Sequence, residues 1–283
     1  MITLQLTGGL GNQLFQYAAA MALAKRRQVP LQLDLSRMPF AEGRILKLDA
    51  FQTEAAVLEL KKPDGDGFGP GLVGKVRRRL DPRKAWYKRR VVEQPHFHYA
   101  PDFFKAGPNA ILYGYWQSPQ YFAGLEPLIR DHYRFRAEFD RPTPLDEKVG
   151  SGVVALHVRR GDYVSNPIYS KKYRVMELDY YVRAVEKLSA RTNYDRLVVF
   201  SDDLPWCQEN LVDLGVECLD GGSDLGDFRL MRKCSHHIIS NSTFAWWAAY
   251  LGEDPKQVVI APNLWFLDDR NTSDLFPNSW LLI

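Results

Sequence analysis

The chain has 283 residues, of which 46% are hydrophobic and 25% charged, and its formal net charge is +3. This is enough to bury a full core as one large α/β domain or two medium ones, while so mild a charge singles out no class of partner. Apolar runs fall short of the roughly 20 residues of a membrane span, and Cys207, Cys218 and Cys234 include no CxxC pair, which excludes a disulfide framework or a zinc site and fits a reducing cytoplasm.

Met1 runs into ITLQL without a basic flank or cleavage site, so no signal peptide is expected. The first predicted strand is Ile2–Leu6, followed by GGLGNQ. Gly8, Gly9 and Gly11 allow a tight turn and close backbone approach, and the helix after them offers N–H groups to an anion. The spacing is neither GxGxxG nor a P-loop, and a packing turn is the alternative; Asn12 and Gln13 add donors such a turn does not require. Leu14, Phe15, Ala18, Met21 and Ala22 place a helix over Asn12–Arg27, its basic end matching the helix dipole.

A second strand is expected at Leu31–Leu35. Beyond it, Lys61–Arg90 is glycine-rich and then dense in Lys and Arg around Trp86 and Tyr87. It reads either as a solvated insertion or, over 75–90, as a contact for an anionic membrane surface or a lipid-linked acidic acceptor. Nucleic acid is a minor option, since nothing else resembles a nucleic-acid module. Strand Ile111–Tyr115 follows, and Ala137–Gly152, with two prolines and two glycines, divides the chain into domains over 1–140 and 150–283.

In the second half, predicted strands are Val153–Val158, Leu197–Phe200, His237–Ile239 and Val258–Ala261. Leu178, Tyr181, Val182, Val185 and Leu188 mark one helix, Leu225, Phe228 and Met231 another, and Thr243–Leu251 a third. The strands are β-branched without strict alternation, which suits a parallel sheet buried on both faces, and the class is α/β.

Ligands in such sheets bind beyond the carboxyl ends of the strands. Three motifs sit there besides GGLGNQ. HVRRGDY places His157, Arg159, Arg160 and Asp162 after a buried strand; the arginine forks suit a diphosphate, and the alternative is an internal Arg–Asp ion pair. Asp162 could orient an arginine or accept a proton. Ser201, Asp202 and Asp203 read as acceptors for a purine or ribose edge, as metal ligands, or, for Asp203, as a helix cap before Trp206. The arginines already supply positive charge, which makes a metal partly redundant. In SNSTF, Asn241 precedes Ser242 or Thr243 as a cap, and the hydroxyls and first N–H groups up to Phe244 can face a phosphate.

The stretches GGLGNQLFQYA, HVRRGDY, FSDD, SNSTFAWWAAYL and APNLW, in this order and from end to end, resemble the α-1,2-fucosyltransferases of glycosyltransferase family 11. The resemblance implies a GT-B fold, with two Rossmann-like domains of mainly parallel sheets facing across a cleft and the donor held mainly by 150–283. It implies inverting, metal-independent transfer of L-fucose from GDP-fucose to the 2-hydroxyl of a terminal β-galactoside, on an oligosaccharide acceptor that can be lipid-linked, by a bacterial cytoplasmic enzyme of surface-polysaccharide synthesis. Other fucosyltransferase linkages (α-1,6 or protein O-linked) share the arginine motif. By the same resemblance Arg159 holds the β-phosphate, His157 and Asp202 or Asp203 meet guanine, Ser242 and Thr243 touch phosphate, and Asn12 reaches the sugar-phosphate from the other domain. Asp162 is the candidate base, and which of Arg159 and Arg160 faces the ligand is left open, because neighbours leaving a strand point oppositely.

Overall fold

A computed structural model describes residues 1–38, 45–58 and 85–283. The chain divides into two compact units: Met1–Arg136 with Asn271–Phe276, and Ala137–Arg270 with Pro277–Ile283. Each unit carries one wholly parallel sheet, so the class is α/β.

The first unit contains strands β1 (Ile2–Gln5), β2 (Leu31–Asp34), β3 (Ala56–Leu58), β4 (Val91–Glu93) and β5 (Ile111–Tyr113), in the order β3-β2-β1-β5-β4. Helix α1 (Leu10–Arg27) returns from the carboxyl edge of β1 to the amino edge of the sheet. It buries almost its whole length from Leu10 to Ala24, and Lys25, Arg26 and Arg27 close it where the dipole is negative. Gln28, in the left-handed region at φ 54°, ends it by donating its N–H to Lys25. Helix α2 (Glu126–His132) closes this part of the chain. Asn271–Phe276 joins the unit through Asp274, which accepts from the Tyr99 N–H and, by its carbonyl, from Ser118 Oγ at 2.8 Å.

The second unit holds β6 (Val153–Val158), β7 (Arg196–Ser201), β8 (Val216–Cys218), β9 (His236–Ile238), β10 (Val259–Ala261) and β11 (Leu281–Leu282), ordered β11-β10-β9-β6-β7-β8. Its helices are α3 (Gly161–Ser165), α4 (Leu178–Ser189), α5 (Leu204–Asn210), α6 (Asp224–Lys233) and α7 (Thr243–Tyr250). All six residues of β6 are buried, as a central strand covered on both faces requires.

Several expectations are corrected. On α4 the buried face is Tyr180, Tyr181, Ala184 and Leu188, while Leu178 is exposed and Val182 and Val185 lie at its margin. The stripe is rotated because two adjacent tyrosines bury their rings, and Tyr180 donates its hydroxyl to the Ile239 carbonyl at 2.6 Å. Strands β3, β4, β8 and β11 carry no readable signal; at two or three residues they are too short for a period and form because longer neighbours offer ladder partners. Of the basic stretch Lys61–Arg90, residues up to 84 lie outside the described residues; Trp86–Lys88 form a short 3₁₀ turn leading into β4.

One ion cluster ties α6 to the start of its own unit. Arg229, 5% exposed, grips Asp146 with two N–H···O bonds of 2.6 and 2.7 Å, and Lys233 adds a third at 2.6 Å. Arg229, with Lys233 and the Thr143 amide, holds the Asp146 carboxyl far below the usual carboxylate range, against the opposing effect of burial. A depressed folded pKa means that this stabilisation is complete above the unfolded value near 4 and declines as pH falls below it. Asp146→Asn leaves the guanidinium without its counter-charge and is expected to cost about 3 kcal/mol. Urea midpoints measured from pH 7 downwards test this: the variant starts lower, and the gap to the wild type narrows only below about pH 4.

Candidate active site

Both sheets reverse direction of strand addition beside their central strand, and at such a switch point the loops splay apart to leave a crevice. In the second unit the switch lies between β6 and β9, whose carboxyl ends lead into HVRRGDY and SNST. His157 is the penultimate residue of β6, 5% exposed, with Nδ1 hydrogen-bonded to Ser240 Oγ at 2.8 Å and its ring 5.8 Å from that of Phe244. Burial, reinforced by the Arg159 charge, pushes its pKa down to about 3, so the imidazole is neutral at physiological pH.

The two arginines part as neighbours leaving a strand must. Arg159 turns toward Asp162 (Nη2 to Oδ1, 2.7 Å) and Asp202 (Nη1 to Oδ2, 3.0 Å), with its guanidinium 5.5 Å from the Tyr163 ring centroid. Burial works against its charge, but Asp202 and Asp162 more than offset that and raise its pKa. Arg160 turns the other way, over the Trp206 ring at 4.2 Å, with Nε 3.3 Å from Asp203 Oδ2. The ion-pair alternative for HVRRGDY is therefore present in the structure. It does not exhaust Arg159, whose planar fork has five N–H donors and commits two of them to these carboxylates.

Ser201, Asp202 and Asp203 are organised around the arginines. Asp202 Oδ1 accepts from the Arg160 N–H at 2.9 Å while Oδ2 meets Arg159. Asp203 Oδ1 caps α5 by accepting from the Trp206 N–H at 3.2 Å, and its own N–H donates to Ser201 Oγ at 2.9 Å. All four carboxylate oxygens thus have donors within the protein. The capping and ion-pair reading of SDD is thus present in the structure, and each carboxylate oxygen keeps a second lone pair with which to accept from a ligand. Among the described residues no group of three or more His, Cys, Asp or Glu side chains is arranged to hold a metal ion.

Asn241 is fully buried and acts as a strut, its Nδ2 donating to the carbonyls of Arg174 (2.7 Å) and Trp265 (2.9 Å). Ser242 stands at the N-cap of α7 without making a side-chain capping bond, and its N–H is taken by the Ser240 carbonyl at 2.8 Å. The Ser242 amide is thus not available to a phosphate as expected; the partly exposed Thr243 and Phe244, in the first helical turn, are the better-placed part of SNSTF. Trp246 and Trp247 are wholly buried and belong to the core.

In the first unit, the switch point between β1 and β5 brings GGLGNQ beside the segment after β5. Gly8 has φ +81°, and a Cβ there would lie 2.7 Å from Asn12 Nδ2, so both conformation and space demand glycine. Asn12 Oδ1 accepts from Gln117 Nε2 at 2.8 Å. Gln13, read as a ligand donor, is structural: its buried amide bonds Gly8 O, Ile45 O and the Lys47 N–H at 2.8–3.0 Å.

Three residues escaped sequence reasoning. Tyr163, inside the motif, donates to the Asn241 carbonyl at 3.0 Å and stacks on Tyr173 at 4.6 Å, linking the two loops of the switch point. Burial raises its pKa, so it remains a neutral donor. Gly161 is needed for space: a Cβ would stand 2.5 Å from Asp202 Oδ2. Gln117 had no signal at all, since nothing in the sequence pairs it with Asn12.

The model of Glycosyl transferase family 11 matches residues 93–283. An α-1,2-colitosyltransferase of Escherichia coli is 28% identical over 100% of this chain and 99% of its own length. The galactoside 2-α-L-fucosyltransferase Sec1 of Mus musculus is also 28% identical, over 89% of this chain and 64% of its own. The crystal structure of the Bradyrhizobium α-1,6-fucosyltransferase NodZ soaked with GDP-fucose superposes with a TM-score of 0.56 at 17% identity, covering 92% of this chain and 94% of that one, which speaks for the fold alone.

Proposed function

Since the chain belongs to glycosyl transferase family 11, we propose that it transfers L-fucose from GDP-fucose, with inversion and without a metal, to the 2-hydroxyl of a terminal β-galactoside. The observation that carries this reading is the meeting of HVRRGDY and SNST at the switch point of the second unit, with SDD joined to them from the end of the neighbouring β7 and Arg159 retaining donors beyond its two carboxylates. Relatives named for α-1,2 transfer, one matched over its full length and one over part of it, support the α-1,2 linkage in this reading.

Negative charge grows on the departing GDP as the C1–O bond breaks. Arg159 and the first-turn N–H groups of α7 at Thr243 and Phe244 stabilise it, which is the task a metal performs elsewhere. Asp162, engaged by Arg159, serves as an anchor for that arginine before it can serve as a base. Asn12, held by Gln117 at the carboxyl edge of the first unit's sheet, is the residue for the donor's sugar-phosphate in this reading. The acceptor is a galactose-containing oligosaccharide, lipid-linked in the cell. No helix among the described residues is long and apolar enough to cross a membrane, and a lipid-linked acceptor is met by peripheral attachment.

The test is a transfer assay with GDP-fucose and a colitose donor across a panel of galactosides, with linkage and anomeric analysis of the product. Fucose α-1,2-linked to galactose is expected, at undiminished rate in EDTA. Transfer of colitose alone, another linkage, or activity lost in EDTA and restored by Mn²⁺ would each overturn the corresponding part.

A further inference from the structure

The amino edge of the first unit's sheet carries a basic and aromatic strip that the transfer reaction does not use. Its position follows from the topology. In a parallel sheet a helix leaving the carboxyl edge returns to the amino edge, so the last turn of α1 lies at the opposite end from the Asn12–Gln117 pair. The Ile2 N–H to Pro30 O bond (2.9 Å), the Met1 ammonium to Pro108 O bond (2.8 Å) and the Ile111 N–H to Arg90 O bond (2.8 Å) fix the chain at that edge.

The strip is continuous. Arg27 ties α1 to the Pro101–Lys105 turn through Phe104 O (2.6 Å) and Ala106 O (2.7 Å). Exposed Arg26 lies over the Phe104 ring at 5.0 Å beside exposed Lys25. Lys105 then lies 5.6 Å from the Tyr87 ring, and Lys88 and Arg90, both exposed, lead into β4. Asp102 pairs with Lys105 at 2.7 Å, an exposed contact of little strength.

We infer that this strip docks the enzyme on an anionic phospholipid surface. Its chemistry is that of the headgroup layer: basic side chains attracted by the surface potential, interleaved with half-buried aromatic rings that suit the water–lipid boundary. A folded protein partner would call for an apolar centre with a polar rim, whereas here the charges run through the middle. Docking in this way turns the carboxyl edge of the first unit's sheet away from the bilayer. The docking rests on the strip; the identity of the acceptor glycan rests on the proposed fucosyl transfer.

The experiment is co-sedimentation of the full-length protein with phosphatidylcholine vesicles, with and without phosphatidylglycerol, at low and high salt, beside transfer to a free galactoside. The wild type is expected to bind the anionic vesicles alone and to be released by salt. The triple variant Lys25→Glu, Arg26→Glu, Lys88→Glu is expected to lose that binding by about a hundredfold with an unchanged urea midpoint and unchanged transfer to the free acceptor. Equal binding to neutral vesicles, anionic binding that survives in the variant, or salt-sensitive binding to RNA with none to vesicles overturns the inference. Absence of transfer to any free galactoside, with vesicle binding intact, counts against the proposed function and leaves the docking surface standing.

Discussion

Replacing Arg159 by alanine is expected to lower fucosyl transfer by at least about 10²–10³-fold, the loss that follows removal of one preorganised donor to a developing anion. The side chain supplies that donor and also screens Asp162 and Asp202, which approach it at 2.7 and 3.0 Å from two sides. Alanine therefore removes the cation and leaves two carboxylates facing an incoming diphosphate, so both GDP affinity and turnover fall. Arg159→Lys separates the two roles. A lysine restores one positive charge but is a point donor that cannot span both carboxylates while offering further N–H groups to a phosphate. It is expected to recover part of the GDP affinity and little of the turnover. The carboxylates are within reach of water at this loop, so the fold survives, and near-ultraviolet circular dichroism with a urea midpoint verifies that. Wild-type transfer rates in Arg159→Ala would remove the arginine from the donor site.

Much of this was legible because the information is local. β6 occupies Val153–Val158 as read, since six apolar or buried positions in a row admit no other covered strand, and the residues after it must lie at its carboxyl end. Asp203 as the cap of α5 was equally local, its carboxylate reaching the N–H three residues on. What stayed hidden was any pairing across sequence distance. No spacing rule connects Arg159 with Asp202, His157 with Ser240, or Asn12 with Gln117. The electrostatic consequence is large. HVRRG read alone is a cationic site, whereas with Asp162, Asp202 and Asp203 attached it sets three carboxylates against two guanidinium groups, and anion binding depends on the direction of the remaining N–H groups rather than on net charge. Gln13 shows the opposite error: a polar residue beside a glycine turn suggests a ligand contact, yet its amide is fully engaged in closing the loops around Gly8 and Lys47.

Gly161→Ala is expected to cost about 10²-fold in transfer, a displacement effect of the size that misplacing a catalytic group by an ångström produces. The backbone at Gly161 is helical and tolerates alanine, so the substitution acts through space alone. The added methyl would stand 2.5 Å from Asp202 Oδ2 and 3.0 Å from its Cγ, forcing the carboxylate off Arg159 and off the Arg160 N–H. If Asp202 matters by aiming Arg159, the damage from Gly161→Ala must pass through it. In an Asp202→Ala background the obstacle is gone, and the alanine at 161 is expected to add almost nothing. The double-mutant cycle then shows a coupling of about 1–3 kcal/mol, as residues sharing one network do. Additive losses would mean that the methyl group obstructs the donor directly. The distinction is informative about mechanism, because the coupled outcome makes Asp202 a positioning residue whose loss raises the donor KM and lowers kcat together, whereas a guanine contact would raise KM alone.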